Sequence, residues 1–99
     1  GRLQDALEAF GEAERALVAC GQLETQAGAS LLISLGNTRK ASGDADAALQ
    51  AYTKARAIFQ KTDSLDSKEG AGLLMNIGSA KGAQGDIRSR LQAYAEARR

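Results

Sequence analysis

Apolar residues recur at spacings of three and four along most of the chain, which is the period of an amphipathic α-helix. In the first segment these positions are Leu3, Ala6, Leu7, Phe10, Ala13, Leu17 and Cys20. The whole pattern predicts five helices joined by short polar turns, covering residues 2–20, 26–41, 45–61, 67–83 and 87 onwards. No segment shows the alternation of a strand, so the sequence predicts an all-α fold with antiparallel neighbouring helices.

The predicted turns are marked by glycine and by capping residues. Gly21 ends the first helix as a left-handed cap would. Gly43 can adopt a positive φ, and Asp44 can cap the third helix through its carboxylate. Residues 84–86 repeat this glycine–aspartate pattern and predict a second break of the same kind, while Asp66 is the predicted N-cap of the fourth helix.

The chain contains the same pattern twice. A first unit, Ser30–Tyr52, reads SLLISLGNTRKASGDADAALQAY, and a second unit, Gly72–Tyr94, reads GLLMNIGSAKGAQGDIRSRLQAY. Identical residues stand 42 positions apart: Gly36 and Gly78, Gly43 and Gly85, Asp44 and Asp86, Tyr52 and Tyr94. An internal match of this length predicts an array of helical units, an architecture that typically binds partners.

The charges exclude some partners and suggest another. The 13 basic and 12 acidic residues nearly balance, so neither nucleic acid nor a membrane surface is indicated, and no apolar run is long enough for membrane insertion. Residues 1–24 nevertheless carry five acids against two bases, and residues 81–99 carry five bases against two acids. Stacked units would therefore have an acidic and a basic end, which permits end-to-end self-association.

The residues that usually carry catalysis or bind metals are almost absent. Histidine is missing, and Cys20 is the only cysteine, so we expect no enzyme activity, no cofactor and no metal site. As a small apolar residue that closes a helix, Cys20 is predicted to be buried. A single cysteine favours an intracellular compartment, with the cytoplasm first and an organelle such as a plastid as the alternative. The missing initiator methionine suggests a piece of a longer protein.

The matched positions resemble the tetratricopeptide repeat (TPR), a family with a small residue, a glycine, an acid and an aromatic at fixed places in two antiparallel helices. The repeat-defining residues would be Gly36, Gly43, Asp44, Ala48 and Tyr52, then Gly78, Gly85, Asp86 and Tyr94. The resemblance implies a right-handed α–α superhelix of about five helices, forming one domain over residues 1–99. Within it, residues 1–20 would be the second helix of a truncated repeat, 26–61 a full repeat, and 67–99 a full or nearly full repeat.

Two details refine this resemblance. The period of 42 exceeds the usual repeat length, and this is similar to the subtype found in kinesin light chains and in polarity adaptors that bind G-protein regulators. Arg90 departs from the pattern, because it stands where the first unit has Ala48 and the family has a small residue. Arg90 must therefore reach solvent, find a partner or displace the last helix.

In the family, the first helix of each pair lines a concave groove that binds a protein or peptide segment. The resemblance implies the groove residues Ile33, Ser34, Asn37, Lys40, Met75, Asn76 and Ser79. Asn37 and Asn76 could bond a peptide backbone because an amide both donates and accepts, and they match two positions of the carboxylate clamp in chaperone-binding members. Ile33 replaces the clamp lysine, which speaks against a carboxylate ligand. Solvated amides, or amides bonded to a neighbouring helix, remain the simpler interpretation.

The sequence thus predicts a protein–protein interaction module that acts as an adaptor, scaffold or regulator. The alternative is a structural spacer or a self-associating segment of a larger repeat protein. A helical-repeat RNA binder is disfavoured by the low net charge of +1.

Overall fold

The structure, a computed structural model, describes residues 1–97 as four α-helices. They are α1 (Arg2–Ala19), α2 (Gln26–Ala41), α3 (Ala45–Lys61) and α4 (Lys68–Ala97). No strand occurs within these described residues, so the all-α prediction is confirmed. Arg98 and Arg99, which belong to the predicted basic end, lie outside the described residues.

Side-chain oxygens cap the N-termini of three helices. The backbone N–H groups of Gly28, Ala47 and Gly70 donate to Thr25 Oγ1, Asp44 Oδ1 and Ser67 Oγ, at 3.3, 3.0 and 3.0 Å. The Asp44 cap was predicted, whereas the predicted Asp66 cap is wrong, because α4 begins one residue later. The Ser67 hydroxyl also donates to the carbonyl of Ser64 at 2.6 Å, which fixes Ser67 at the helix start.

Each of the first three helices is followed, two positions after its last residue, by a residue with left-handed backbone conformation. Gly21 has φ of 73° and Gly43 has φ of 88°, as the sequence predicts, and Asp63 adopts φ of 54° without being a glycine. Behind Gly21, the N–H of Gln22 reaches back to the carbonyl of Leu17 at 2.8 Å, which satisfies a carbonyl that the helix leaves free. The turns are therefore set by local backbone chemistry.

The core is centred on α3, which lies between α2 and the first half of α4. Ala48, Tyr52 and Ala55 of α3 are completely buried. The other buried apolar residues are Ala29, Leu32 and Leu35 of α2, Ala45, Ala51, Ile58 and Phe59 of α3, and Leu73, Ile77 and Ala80 of α4. Helix α1 packs against this core through the half-buried Leu7 and Phe10, and none of its described residues is buried.

The predicted fifth helix is wrong as a separate element, because α4 runs without a break for 30 residues. The predicted turn at residues 84–86 is helical, and Tyr94 is 67% exposed instead of covering the preceding helix. If the end of α4 folded back as α3 does in the first unit, Arg90 would take the position that corresponds to Ala48, which is fully buried. Burying an unpaired guanidinium costs several kcal/mol. The straight helix leaves Arg90 exposed and accounts for much of the 53 Å length of the molecule.

Candidate partner-binding surface

Two of the predicted groove residues bridge α2 and α4. The ammonium group of Lys40 donates a hydrogen bond to Ser79 Oγ at 2.9 Å. The two residues are 39 positions apart, so this bond joins helices on either side of α3 in the sequence. We call the surface that carries the seven predicted groove residues of α2 and α4 the α2–α4 surface.

A third predicted groove residue, Asn37, accepts a hydrogen bond from the buried Tyr52. The Tyr52 hydroxyl donates to Asn37 Oδ1 at 2.5 Å, while the rest of Asn37 is exposed. The amide nitrogen takes no part in this bond, so both of its hydrogens can be donated to a ligand. The hydroxyl can donate at neutral pH because the ordinary tyrosine pKa is about 10. Burial raises the pKa of the Tyr52 phenol further, which extends this protonated range to higher pH.

The remaining predicted residues differ in accessibility. Met75 is 75% exposed, and Asn76 beside it is half-buried. Ile33 is half-buried and packs against the core, which makes it less accessible than a groove residue is expected to be. The carbonyl of Ser34 accepts a bond from the Thr38 hydroxyl at 2.9 Å within α2. Lys40 is thus bonded to Ser79, and Asn37 is bonded to Tyr52. Met75 is the most exposed apolar side chain among the predicted groove residues.

The role of Tyr52 as an anchor for Asn37 was not anticipated from the sequence. A signal was available, because residues 37 and 52 are nearly level in a hairpin that turns at residues 42–44. The second unit cannot form the same bond, since Ser79 occupies the position of Asn37 and Tyr94 lies far along the straight helix. The surface is therefore asymmetric between its two helices.

The repeat-defining residues behave differently in the two units. In the first unit Gly36 packs against Tyr52, Gly43 forms the turn, and Asp44 caps α3. In the second unit a Cβ on Gly78 would meet nothing within 4 Å among the described residues, apart from its chain neighbours and the nearby backbone of its own helix, and Gly85 and Asp86 are helical. Only the first unit forms the helical hairpin that the sequence predicts for both.

The rest of the molecule offers little chemistry. Cys20 is exposed, contrary to its predicted burial, because it follows the last turn of α1, where Sγ lies 3.6 Å from the Leu17 carbonyl. Acidic and cysteine side chains of residues 1–97 do not gather into a group that could hold a metal ion. In that same part of the chain, every helix is too short or too polar to span a membrane. A hollow of about 420 Å³ between Ala29, Phe59 and Ser67 lies outside the α2–α4 surface.

Comparisons with known proteins assign no family. No family model matches the chain, and neither a curated protein nor a solved structure matches it. The contacts of Asn37 and Lys40 are consequently the main physical basis for a functional proposal.

Proposed function

We propose that the chain is a protein–protein interaction module of the TPR type that binds an extended or helical segment of a partner protein. In this proposal the α2–α4 surface is the concave groove of a right-handed α–α superhelix. The chain acts by binding, as an adaptor, scaffold or regulator, and it needs neither catalysis nor a cofactor. Its single cysteine suits an intracellular compartment, with the cytoplasm as the first choice.

The observation that carries the proposal is the bond from Tyr52 to Asn37. A buried hydroxyl fixes the amide oxygen of an exposed asparagine, so the side chain is ordered before any ligand arrives. Pre-ordering lowers the entropy that binding must overcome. The free N–H₂ group can donate to the backbone carbonyls of a peptide whatever its side chains are.

The neighbouring side chains suggest the kind of segment that is bound. Lys40 brings a positive charge beside Asn37, and Met75 offers an exposed, flexible apolar side chain that adapts to different partners. A segment that combines acidic residues with one apolar residue would complement both. Because the described surface has no aromatic anchor among its seven residues, we expect modest affinity.

A random peptide library displayed on phage tests the proposal. Peptides selected on the wild-type chain should bind a variant with Asn37→Ala and Asn76→Ala about tenfold more weakly or worse, as expected for central polar contacts. The matched control is the pair Gln50→Ala and Gln60→Ala, which removes two exposed amides from α3. Circular dichroism should show equal helicity in all three proteins. Equal affinity for the Asn variant and the control would overturn the assignment of this surface.

A spacer or self-associating segment is the second candidate. The uneven charge of the sequence favours it, since residues 1–24 carry five acids against two bases and residues 81–99 carry five bases against two acids. These charges alone do not define an interface.

A further inference from the structure

The first half of α4 has an apolar face that no described residue covers. We call it the α4 face, and it consists of Ala71, Leu74 and Gly78. Leu74 is 41% exposed, although its counterpart in the first unit, Leu32, is completely buried. Ala29 and Gly36, which correspond to Ala71 and Gly78, are buried as well. In the first unit the ring of Tyr52 on α3 lies against Gly36, and α3 is the helix that packs most extensively on α2. Within residues 1–97 the α4 face lacks an equivalent helix.

Helix α1 also has a side that no described helix covers. Ala9 and Ala16 of α1 are exposed, whereas Ala51 and Ile58, which stand 42 positions later in α3, are buried. In the core, α2 covers one side of α3 and α4 covers the other. Helix α1 has no helix before it among the described residues, and it packs mainly on α2. We call this side the α1 face, and it consists of the exposed Ala9 and Ala16 and the half-buried Ala6 and Ala13. At one end of the molecule α1, which corresponds to α3, lacks a partner equivalent to α2. At the other end α4, which corresponds to α2, lacks a partner equivalent to α3.

We propose that the α1 face of one copy of the chain docks on the α4 face of another copy. The contact would repeat, between chains, the one that α3 makes with α2 within a chain. Phe10 stands 42 positions before Tyr52, and Gly78 stands 42 positions after Gly36. The same register therefore places Phe10 over Gly78, where an aromatic ring can approach a helix backbone that has no Cβ. Phe10 is only half-buried against the core of its own chain, so one side of its ring remains for this contact.

The chain's own tail fits the α4 face less well than α1 does. At the position that corresponds to the fully buried Ala48, α1 has Ala6 and the tail has Arg90. The tail is also directed away, because Tyr94 lies 16 residues beyond Gly78 on one straight helix, roughly 24 Å along its axis. A second copy supplies the small residue and the aromatic ring without bending α4.

Charge complementarity selects the same pair of helices. In the first unit the Arg39 guanidinium donates to the Ala47 carbonyl at 3.2 Å. The corresponding positions are Lys81 on α4 and Asp5 on α1, so the proposed docking brings a cation to the backbone of a residue whose side chain is a carboxylate. Both groups are exposed in the single chain. Attraction between exposed charges is screened by salt, and the association should weaken as ionic strength rises.

The two faces differ, so the contact is heterologous and leaves one free face at each end of the pair. Association then continues beyond a dimer and gives a series of longer assemblies. None of Ala9, Gly78 and Phe10 belongs to the α2–α4 surface. The inference therefore goes beyond the peptide-binding function, and either proposal can fail while the other holds.

Light scattering of the 99-residue chain at low salt, over a range of protein concentrations, measures the association. We expect the average mass to rise with concentration and to fall on adding salt.

Ala9→Arg blocks the α1 face and Gly78→Phe blocks the α4 face, and each should raise the apparent Kd for self-association about tenfold or more. Gln4→Arg and Gly72→Phe are the matched controls, since both residues are exposed and lie on other sides of the same helices. The controls should associate like the wild type.

Mixing the two blocked variants gives the decisive measurement. The Gly78→Phe chain keeps its α1 face and the Ala9→Arg chain keeps its α4 face, so the mixture should form one-to-one pairs and stop there. The proposal is overturned if the wild-type chain stays monomeric at every concentration, if a blocked variant associates like its control, or if the mixture fails to pair. In a Cys20→Ser background, an intrachain disulfide between Gly78→Cys and Tyr94→Cys would identify the tail as the occupant and would also overturn it.

Discussion

The ring of Tyr52 lies directly against the backbone of Gly36. A Cβ placed on Gly36 would stand 2.5 Å from Cε1 and 2.7 Å from Cδ1 of that ring, closer than carbon atoms can approach. Tyr52 is completely buried and bonded to Asn37, so its ring has no room to retreat. This contact sets the distance between α2 and α3.

Gly36→Ala should therefore lower the free energy of unfolding by about 1–3 kcal/mol, as overpacking of a tight core contact does. Gly78→Ala at the same position of the second unit should instead raise it by up to about 1 kcal/mol, because alanine is the better helix former and the space is open. Urea unfolding of dilute protein measures both changes. Destabilisation of similar size at Gly78 would indicate that Tyr94 folds over that residue.

A second pair of glycines distinguishes a turn from a continuous helix at residues 84–86. Gly43 has φ of 88°, so Gly43→Ala should cost about 1–2 kcal/mol of stability through backbone strain. Gly85 is inside α4, and Gly85→Ala should stabilise the helix by about 0.8–1 kcal/mol. Thermal unfolding followed by circular dichroism compares the two variants. If both substitutions destabilise, the second unit turns as the first one does.

The pH dependence of Tyr52 offers a third prediction. Burial raises the pKa of its phenol, so the folded state favours the protonated form. The stability that this form contributes is complete below the ordinary tyrosine pKa of about 10 and is lost as the pH rises through the higher folded value. Tyr94→Phe leaves Tyr52 as the single tyrosine, because the chain has only two. Its absorbance should titrate at higher pH in the folded protein than in urea, and identical curves would contradict the assignment.

Local chemistry explains what the sequence predicted well. Helices α1, α2 and α3 begin and end within one or two residues of the predicted bounds, since Gly21, Gly43 and Asp44 encode their turns locally. Asn37 is exposed and Lys40 is half-buried on α2, and their bonds to Tyr52 and Ser79 depend on packing between helices. Such contacts are not visible in a periodic pattern.

In the second unit the local sequence pattern predicts a turn, but packing favours a continuous helix. Gly85 and Asp86 have the same residue types and spacing as Gly43 and Asp44 of the first turn, and the backbone there is nevertheless helical. A glycine permits a left-handed turn without requiring one. The turn forms where a following helix can bury small residues, as Ala48 does, and Arg90 removes that gain. The residue that accounts for this difference, Arg90, stands four positions beyond the turn itself.

The continuous α4 also changes how its last residues become ordered. A helix is hard to nucleate and easy to extend, and a free peptide as short as residues 87–97 would be marginal in water. Here the packed turns around Leu73 and Ile77 act as the nucleus, and the following residues only propagate it. Substitutions that loosen those two contacts should therefore unwind a segment that they never touch.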